Sequence, residues 1–176
     1  ESRTLMAESG QADIAWGLDP VSIRRLQQAS RVSIASVTLP RTIQLKLNGA
    51  DPRLSDPVVR RALSLAIDRR GMAAALLRDP EMAATQLFPP TLGEWHQLGL
   101  TPLAYDVKAA RAAFAAAGWQ PGEDGVLRKG EERFALTLRT FPGRPELPLL
   151  ATALQAQWKA VGVDLKVAVG NSSEIP

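Results

Sequence analysis

Proton transfer and metal chemistry have little to work with in this chain. His96 is the only histidine and cysteine is absent, so neither a disulfide framework nor a self-contained zinc site of Cys/His type can be assembled. None of the patterns G-x-x-x-x-G-K-[ST], G-x-G-x-x-G after a strand, G-x-S-x-G or H-E-x-x-H occurs. His96 lies in Trp95-His96-Gln97-Leu98-Gly99 and reads as a loop-packing histidine, while Glu123-Asp124 and Glu131-Glu132 read as solvated residues beside turns. The expectation is a protein that is not an enzyme and holds no cofactor or resident metal.

The polar residues that could recognise a ligand fall in two places. Gln44, Lys46 and Asn48 alternate with Ile43, Leu45 and Leu47, which predicts a strand with one polar and one apolar face. Thr140-Phe141-Pro142-Gly143-Arg144 follows a second predicted strand and leads into a helix. Ligands of α/β sheets bind beyond the carboxyl ends of strands. Two readings therefore stand: walls of a binding cleft, or a solvated edge strand and an ordinary strand-to-helix connection. The residue types alone favour the second. Aromatic side chains can serve as core or as ligand platform. Trp158 and Trp119 read as core, Trp16 is placed in the core in preference to a cleft, and Trp95 is left open.

Stepwise along the chain, helices and strands interleave. A deeply buried helix starts at Asp56-Pro57, an N-cap followed by the residue whose missing N–H costs nothing in the first helical position. Val58, Val59, Ala62, Leu63, Leu65, Ala66 and Ile67 cover more than half of its circumference, leaving Arg60, Arg61, Ser64 and Asp68 on a narrow polar edge. Asp68 ends it and caps a second helix running to Asp79-Pro80. Asp19-Pro20 starts a shorter helix, and Asp106 starts one that Gly118 stops. Short strands are predicted at Asp13–Gly17, Arg31–Val37 and Thr42–Asn48. A hairpin is predicted over Gly125–Thr140, then a helix stopped by Gly162 and a final strand Val163–Val167. Residues 81–103, broken by Pro89-Pro90, Gly93, Gly99 and Pro102, read as a long surface loop. The predicted class is α/β, in the mixed α+β sense.

At 176 residues the chain suits one domain with a real core. Its 21 Lys and Arg against 18 Asp and Glu give a net charge of +3, but the basic residues are scattered, so nucleic acid is not an expected partner. No apolar run approaches the roughly 20 residues needed to span a bilayer. Glu1 opens within what reads as a polar helix, so the chain is expected to be a fragment whose targeting signal lies upstream.

The order of motifs is specific. NGADPRLSDPVVRRALSLAIDRR, from Asn48, resembles a stretch of the extracytoplasmic solute-binding proteins of oligopeptide, dipeptide and nickel ABC importers, where an asparagine closes a strand and a D-x-x-V-R-x-A-L-x-x-A-I-D-R helix follows. YDVKAARAAFAAAGW, DGVLRKGEERFALTL, LPLLATALQAQWKAVGVDLKV and GQADIAW resemble further segments of that family in the same order. Val107 departs from it, standing where the family often has proline.

The resemblance implies one lobe of a type II periplasmic-binding-protein-like fold, residues 1–176 forming a single domain of the C-terminal type. The N-terminal lobe and the C-terminal return segment are expected to lie outside the chain. It implies a receptor that closes over a peptide, a nickel complex or another small solute and delivers it to an ABC permease in the membrane, in the periplasm or otherwise outside the cytoplasm. It also implies cleft exposure for Gln44, Lys46, Asn48, Thr140, Phe141 and Arg144, with Lys46 or Arg144 pairing with a ligand carboxylate and Phe141 forming an apolar wall. A different implied reading is a ligand-sensing domain of a cytoplasmic regulator fused to a DNA-binding module.

Overall fold

Four α-helices begin on an aspartate whose carboxylate accepts from backbone N–H groups that the first turn would otherwise leave unpaired. In the computed structural model, which describes residues 2–175, Asp19 caps α2 (Pro20–Leu26) and Asp56 caps α3 (Pro57–Leu65). Asp68 caps α4 (Arg69–Met72) through the Gly71 N–H, and Asp106 caps α5 (Val107–Ala116) through the Ala109 N–H. The helix that precedes them, α1 (Ser2–Ser9), is tied to α2 by a two-pronged ion pair from Arg25 to Glu8, both contacts at 2.7 Å. Beyond α4 a π-helical turn spans Ala73–Leu77, and residues 80–95 hold two short 3-10 segments.

The chain then enters β1 (Gln120–Pro121), β2 (Leu127–Lys129) and β3 (Glu132–Arg133), an antiparallel ribbon. β4 (Ala135–Thr140), α6 (Glu146–Lys159) and β5 (Asp164–Val169) follow as a βαβ unit, with β4 and β5 parallel from Ala135↔Asp164 to Thr140↔Val169. Phe134 is the pivot between the two sheets. Its N–H donates to Leu127 O at 2.8 Å and its carbonyl accepts from Asp164 N–H at 3.0 Å. The predicted hairpin is thus real over β2 and β3, but its longer strand turns away at Phe134 to pair with β5.

Phe134 also centres the core. Fully buried, it meets Phe114 of α5 edge-on at 5.5 Å and Trp119 at 4.6 Å. Trp158 of α6 is buried and donates its indole N–H to Leu63 O at 3.1 Å, locking α6 to α3. Both predicted core tryptophans are therefore core. α5 and α6 end alike: Gly118 and Gly162 take φ of 86°, and the next residue's N–H reaches back five residues, Trp119 to Phe114 O and Val163 to Trp158 O.

Three predicted strands do not form. Residues 13–17, 31–37 and 42–48 carry no ladder. A period of two shows which side chains can share a face, whereas a strand also needs a neighbour to take its N–H and C=O groups. Of the last segment, Leu47 packs against the core and Thr42 Oγ1 donates to Leu87 O at 2.8 Å, while Ile43 and Leu45 stay exposed. The expected core position of Trp16 is likewise overturned: the residue is 81% exposed, because the strand that would have tucked it inward is absent.

Candidate functional site

The β4–α6 connection stands at the carboxyl end of the parallel pair, the place where such sheets gather ligand-binding loops. Thr140 is the last paired residue of β4 and is buried; its carbonyl accepts from Gly170 N–H at 2.9 Å. Phe141 is half-buried, its ring packed over the turn 3.4 Å from where a Cβ on Gly143 would stand, an ordinary contact distance. Arg144 is half-buried and its carbonyl accepts from Leu147 N–H at 3.1 Å as α6 begins. Beside this connection lies a cleft of about 120 Å³ formed by Thr137, Arg139 and Thr140 of β4 with Val169, Gly170 and Asn171.

Gln44, Lys46 and Asn48 do not make the polar face of a strand. All three are exposed on the irregular segment that leads into α3. Asn48 shapes the turn that follows: its Oδ1 accepts from Ala50 N–H at 3.1 Å and its carbonyl from Asp51 N–H at 3.1 Å. The segment is anchored just beyond, where Arg53 donates to the carbonyl of Ala135 at the start of β4 and grips Asp51 at 2.6 Å. The hydrogen bond from Arg53, followed by the backbone N–H of Arg53 and its charge, holds the Asp51 carboxyl below its ordinary value against the opposing effect of burial. Thr140, Phe141 and Arg144 therefore share one connection, while Gln44, Lys46 and Asn48 share another segment, tied to the opposite end of β4.

Three polar residues of the cleft are absent from the sequence-based expectation, Thr137, Arg139 and Asn171. The signal for Arg139 was present in the alternation of Thr137 and Arg139 with Leu136 and Leu138, which puts both polar residues on one face of β4. Among the described residues, no carboxylate pairs with Arg139 or Arg144. Two guanidinium groups near one loop without acidic partners suit an anionic ligand group. His96 packs in its loop as expected, Nδ1 lying 2.8 Å from Phe88 O, beside a contact between Phe88 and the exposed Trp95. Asp124 is more than a solvated turn residue, since it pairs with Arg133 and Arg128. A second open cleft, of about 230 Å³, lies between Arg3, Met6, Ile14 and Trp16, where Arg3 donates to Trp16 O at 3.1 Å. Among the described residues, no group of three or more His, Cys, Asp or Glu side chains could hold a metal ion.

The family model of the bacterial extracellular solute-binding proteins, family 5 Middle, matches residues 1–175. The chain belongs to this family. Among its family 5 relatives, the nickel-binding periplasmic protein of Escherichia coli (strain K12) is 26% identical over 180 residues, covering 99% of this chain and 34% of that protein. The oligopeptide-binding protein AppA of Bacillus subtilis (strain 168) is 29% identical over 124 residues, 69% of this chain and 23% of the relative. NikA from Brucella suis, solved in complex with Fe(III)-EDTA, superposes with a TM-score of 0.85 at 26% identity over 99% of this chain and 36% of its own. The chain thus spans between 23% and 34% of the length of these two curated family 5 relatives.

Proposed function

We propose that this chain is one lobe, of the C-terminal type, of a bilobal solute-binding receptor of an ABC importer. The receptor captures a peptide, a nickel complex or another small solute outside the cytoplasm and hands it to a membrane permease. The observation that carries this reading is the family match over residues 1–175, supported by relatives named for binding oligopeptides and nickel. In the receptor the lobe contributes one wall of a cleft that the N-terminal lobe of the same protein completes by closing.

Within that wall, Arg144 or Lys46 supplies positive charge for a solute carboxylate, with Arg139 as a further cation on the Arg144 side. Phe141 supplies an apolar wall, and Gln44, Asn48 and Thr140 supply hydrogen-bonding groups. Native mass spectrometry of the longest natural chain containing this segment, purified without refolding, is expected to find a small solute retained. Alanine at Lys46 and at Arg144 in that chain is expected to weaken solute binding. Unchanged affinity of both variants for every retained solute overturns the site assignment, and turnover of the solute overturns the receptor reading.

A further inference from the structure

Asn48 is followed by Gly49, and the structure presents this pair in a form suited to an intramolecular reaction. Both residues are exposed, and nothing lies within 4 Å of where a Cβ on Gly49 would stand. Among the described residues the Gly49 N–H makes no hydrogen bond, since the segment before it has no ladder and α3 begins only at Pro57. The Asn48 carboxamide, by contrast, is held: Ala50 N–H donates to its Oδ1 at 3.1 Å, which polarises the carbonyl.

We infer that Asn48 is a site of spontaneous deamidation in the folded protein, through a cyclic imide formed with Gly49. Hydroxide removes the Gly49 amide proton, and the resulting nitrogen attacks Asn48 Cγ. The Ala50 N–H donates to the oxygen on which negative charge develops, the role that backbone donors play in an oxyanion hole. The bond from Cγ to the side-chain nitrogen breaks as that nitrogen takes a proton from the water just formed, and ammonia leaves. Water then opens the five-membered ring at either carbonyl, giving aspartate or isoaspartate. Glycine favours the first step because no Cβ shields its nitrogen from the approach.

Two other places in the chain set the contrast. Asp124-Gly125 could form the same ring, but there the Gly125 N–H is bonded to Gly122 O at 2.9 Å and the Asp124 carboxylate is paired with Arg133. The hydrogen bond from Arg133, then that from Val126, keeps this carboxyl ionised and a poor electrophile by holding it below its ordinary value. The other asparagine, Asn171, precedes Ser172, whose side chain crowds the nitrogen. The structure thus protects Asp124, and the side chain of Ser172 makes Asn171 the slower of the two asparagines. Conversion would place a negative charge two residues from Lys46, or add a backbone methylene where the chain enters the turn before α3.

The test is incubation of the native chain at mildly alkaline pH, followed by tryptic mapping of the peptide Leu47–Arg53. The readouts are the mass gain of an amide-to-acid exchange and labelling by an isoaspartyl methyltransferase. The expected result is conversion at Asn48 severalfold faster than at Asn171, both acid products present, and no isoaspartate at Asp124. A Gly49→Ala variant, which the open surroundings and ordinary backbone at residue 49 accommodate, is expected to convert at least severalfold more slowly with its circular dichroism unchanged. Conversion at Asn48 no faster than at Asn171, or conversion seen only after unfolding in urea, overturns the inference. So does an unaltered rate in Gly49→Ala.

Discussion

Gly162 occupies a position that no other residue fills without displacement. Its φ of 86° lies in the left-handed region, and a Cβ there would stand 2.9 Å from Gly125 O and 3.0 Å from Leu127 Cγ. Its own carbonyl accepts from Leu127 N–H at 2.7 Å, so the end of α6 and β2 are joined at this point. Gly118 has the same φ, but a Cβ there would meet only the flexible end of Lys129, at 3.3 Å. Gly118→Ala should lose roughly 1–2 kcal/mol, the left-handed penalty alone, and Gly162→Ala distinctly more. Urea unfolding of the two variants decides this, and equal losses would mean that the contact with β2 relaxes freely. Trp158→Phe makes a related point in the core. It leaves Leu63 O without its indole donor, and an unsatisfied buried acceptor costs about 1–3 kcal/mol. The expected loss lies in that range, read by the same measurement; a neutral result would show that the carbonyl finds water.

At the scale of elements, helix starts are local events, and they are legible for that reason. Asp19, Asp56, Asp68 and Asp106 cap within three residues of themselves, so a short window of sequence contains the whole interaction. Asp56→Ala should cost about 1 kcal/mol of stability, and a loss below the error of a denaturant titration would count against the cap. Strands obey a different rule, since their hydrogen bonds go to residues far away in sequence. Alternation at residues 42–48 was read as a strand, but no neighbour takes up the ladder, while β4 exchanged its expected hairpin partner for β5. The same distance rule hid part of the candidate site. Thr140 and Arg144 are legible as a strand-to-helix loop, whereas Asn171 comes beside Thr140 only because β5 returns parallel to β4.

The tie between the 51–53 turn and β4 is also long-range, and it responds to pH. Asp51 is held below its ordinary value of 3.8, chiefly by the hydrogen bond from Arg53. A depressed folded pKa means that the ionised form is favoured by folding. The stabilisation is therefore complete above the ordinary value and is lost as pH falls from there through the lower folded value. Asp51→Asn should flatten the acid side of the stability profile in that window and leave it unchanged near neutrality in slope, though not in height. An acid limb as steep as that of the parent would show that other carboxylates, Asp19 among them, carry the dependence.

For the molecule as a whole, the decisive quantity is how much of a solute this chain could cover. Pockets that bind small ligands measure roughly 300–1,000 Å³ and bury most of the ligand. The cleft beside Arg139 and Thr140 measures about 120 Å³ and is open on one side. Much of the affinity of a receptor comes from removing ligand surface from water, and one wall removes only part of it. Arg139 and Arg144 can attract a carboxylate, but an exposed ion pair contributes only about 0–1 kcal/mol. On the proposed two-lobed reading, the isolated 176-residue chain should bind a retained solute far more weakly than the longest natural chain containing it does. Calorimetry of both chains with the same solute measures the difference. Equal affinity would mean that the whole site lies within these residues, and would replace the two-lobed cleft with a self-sufficient one.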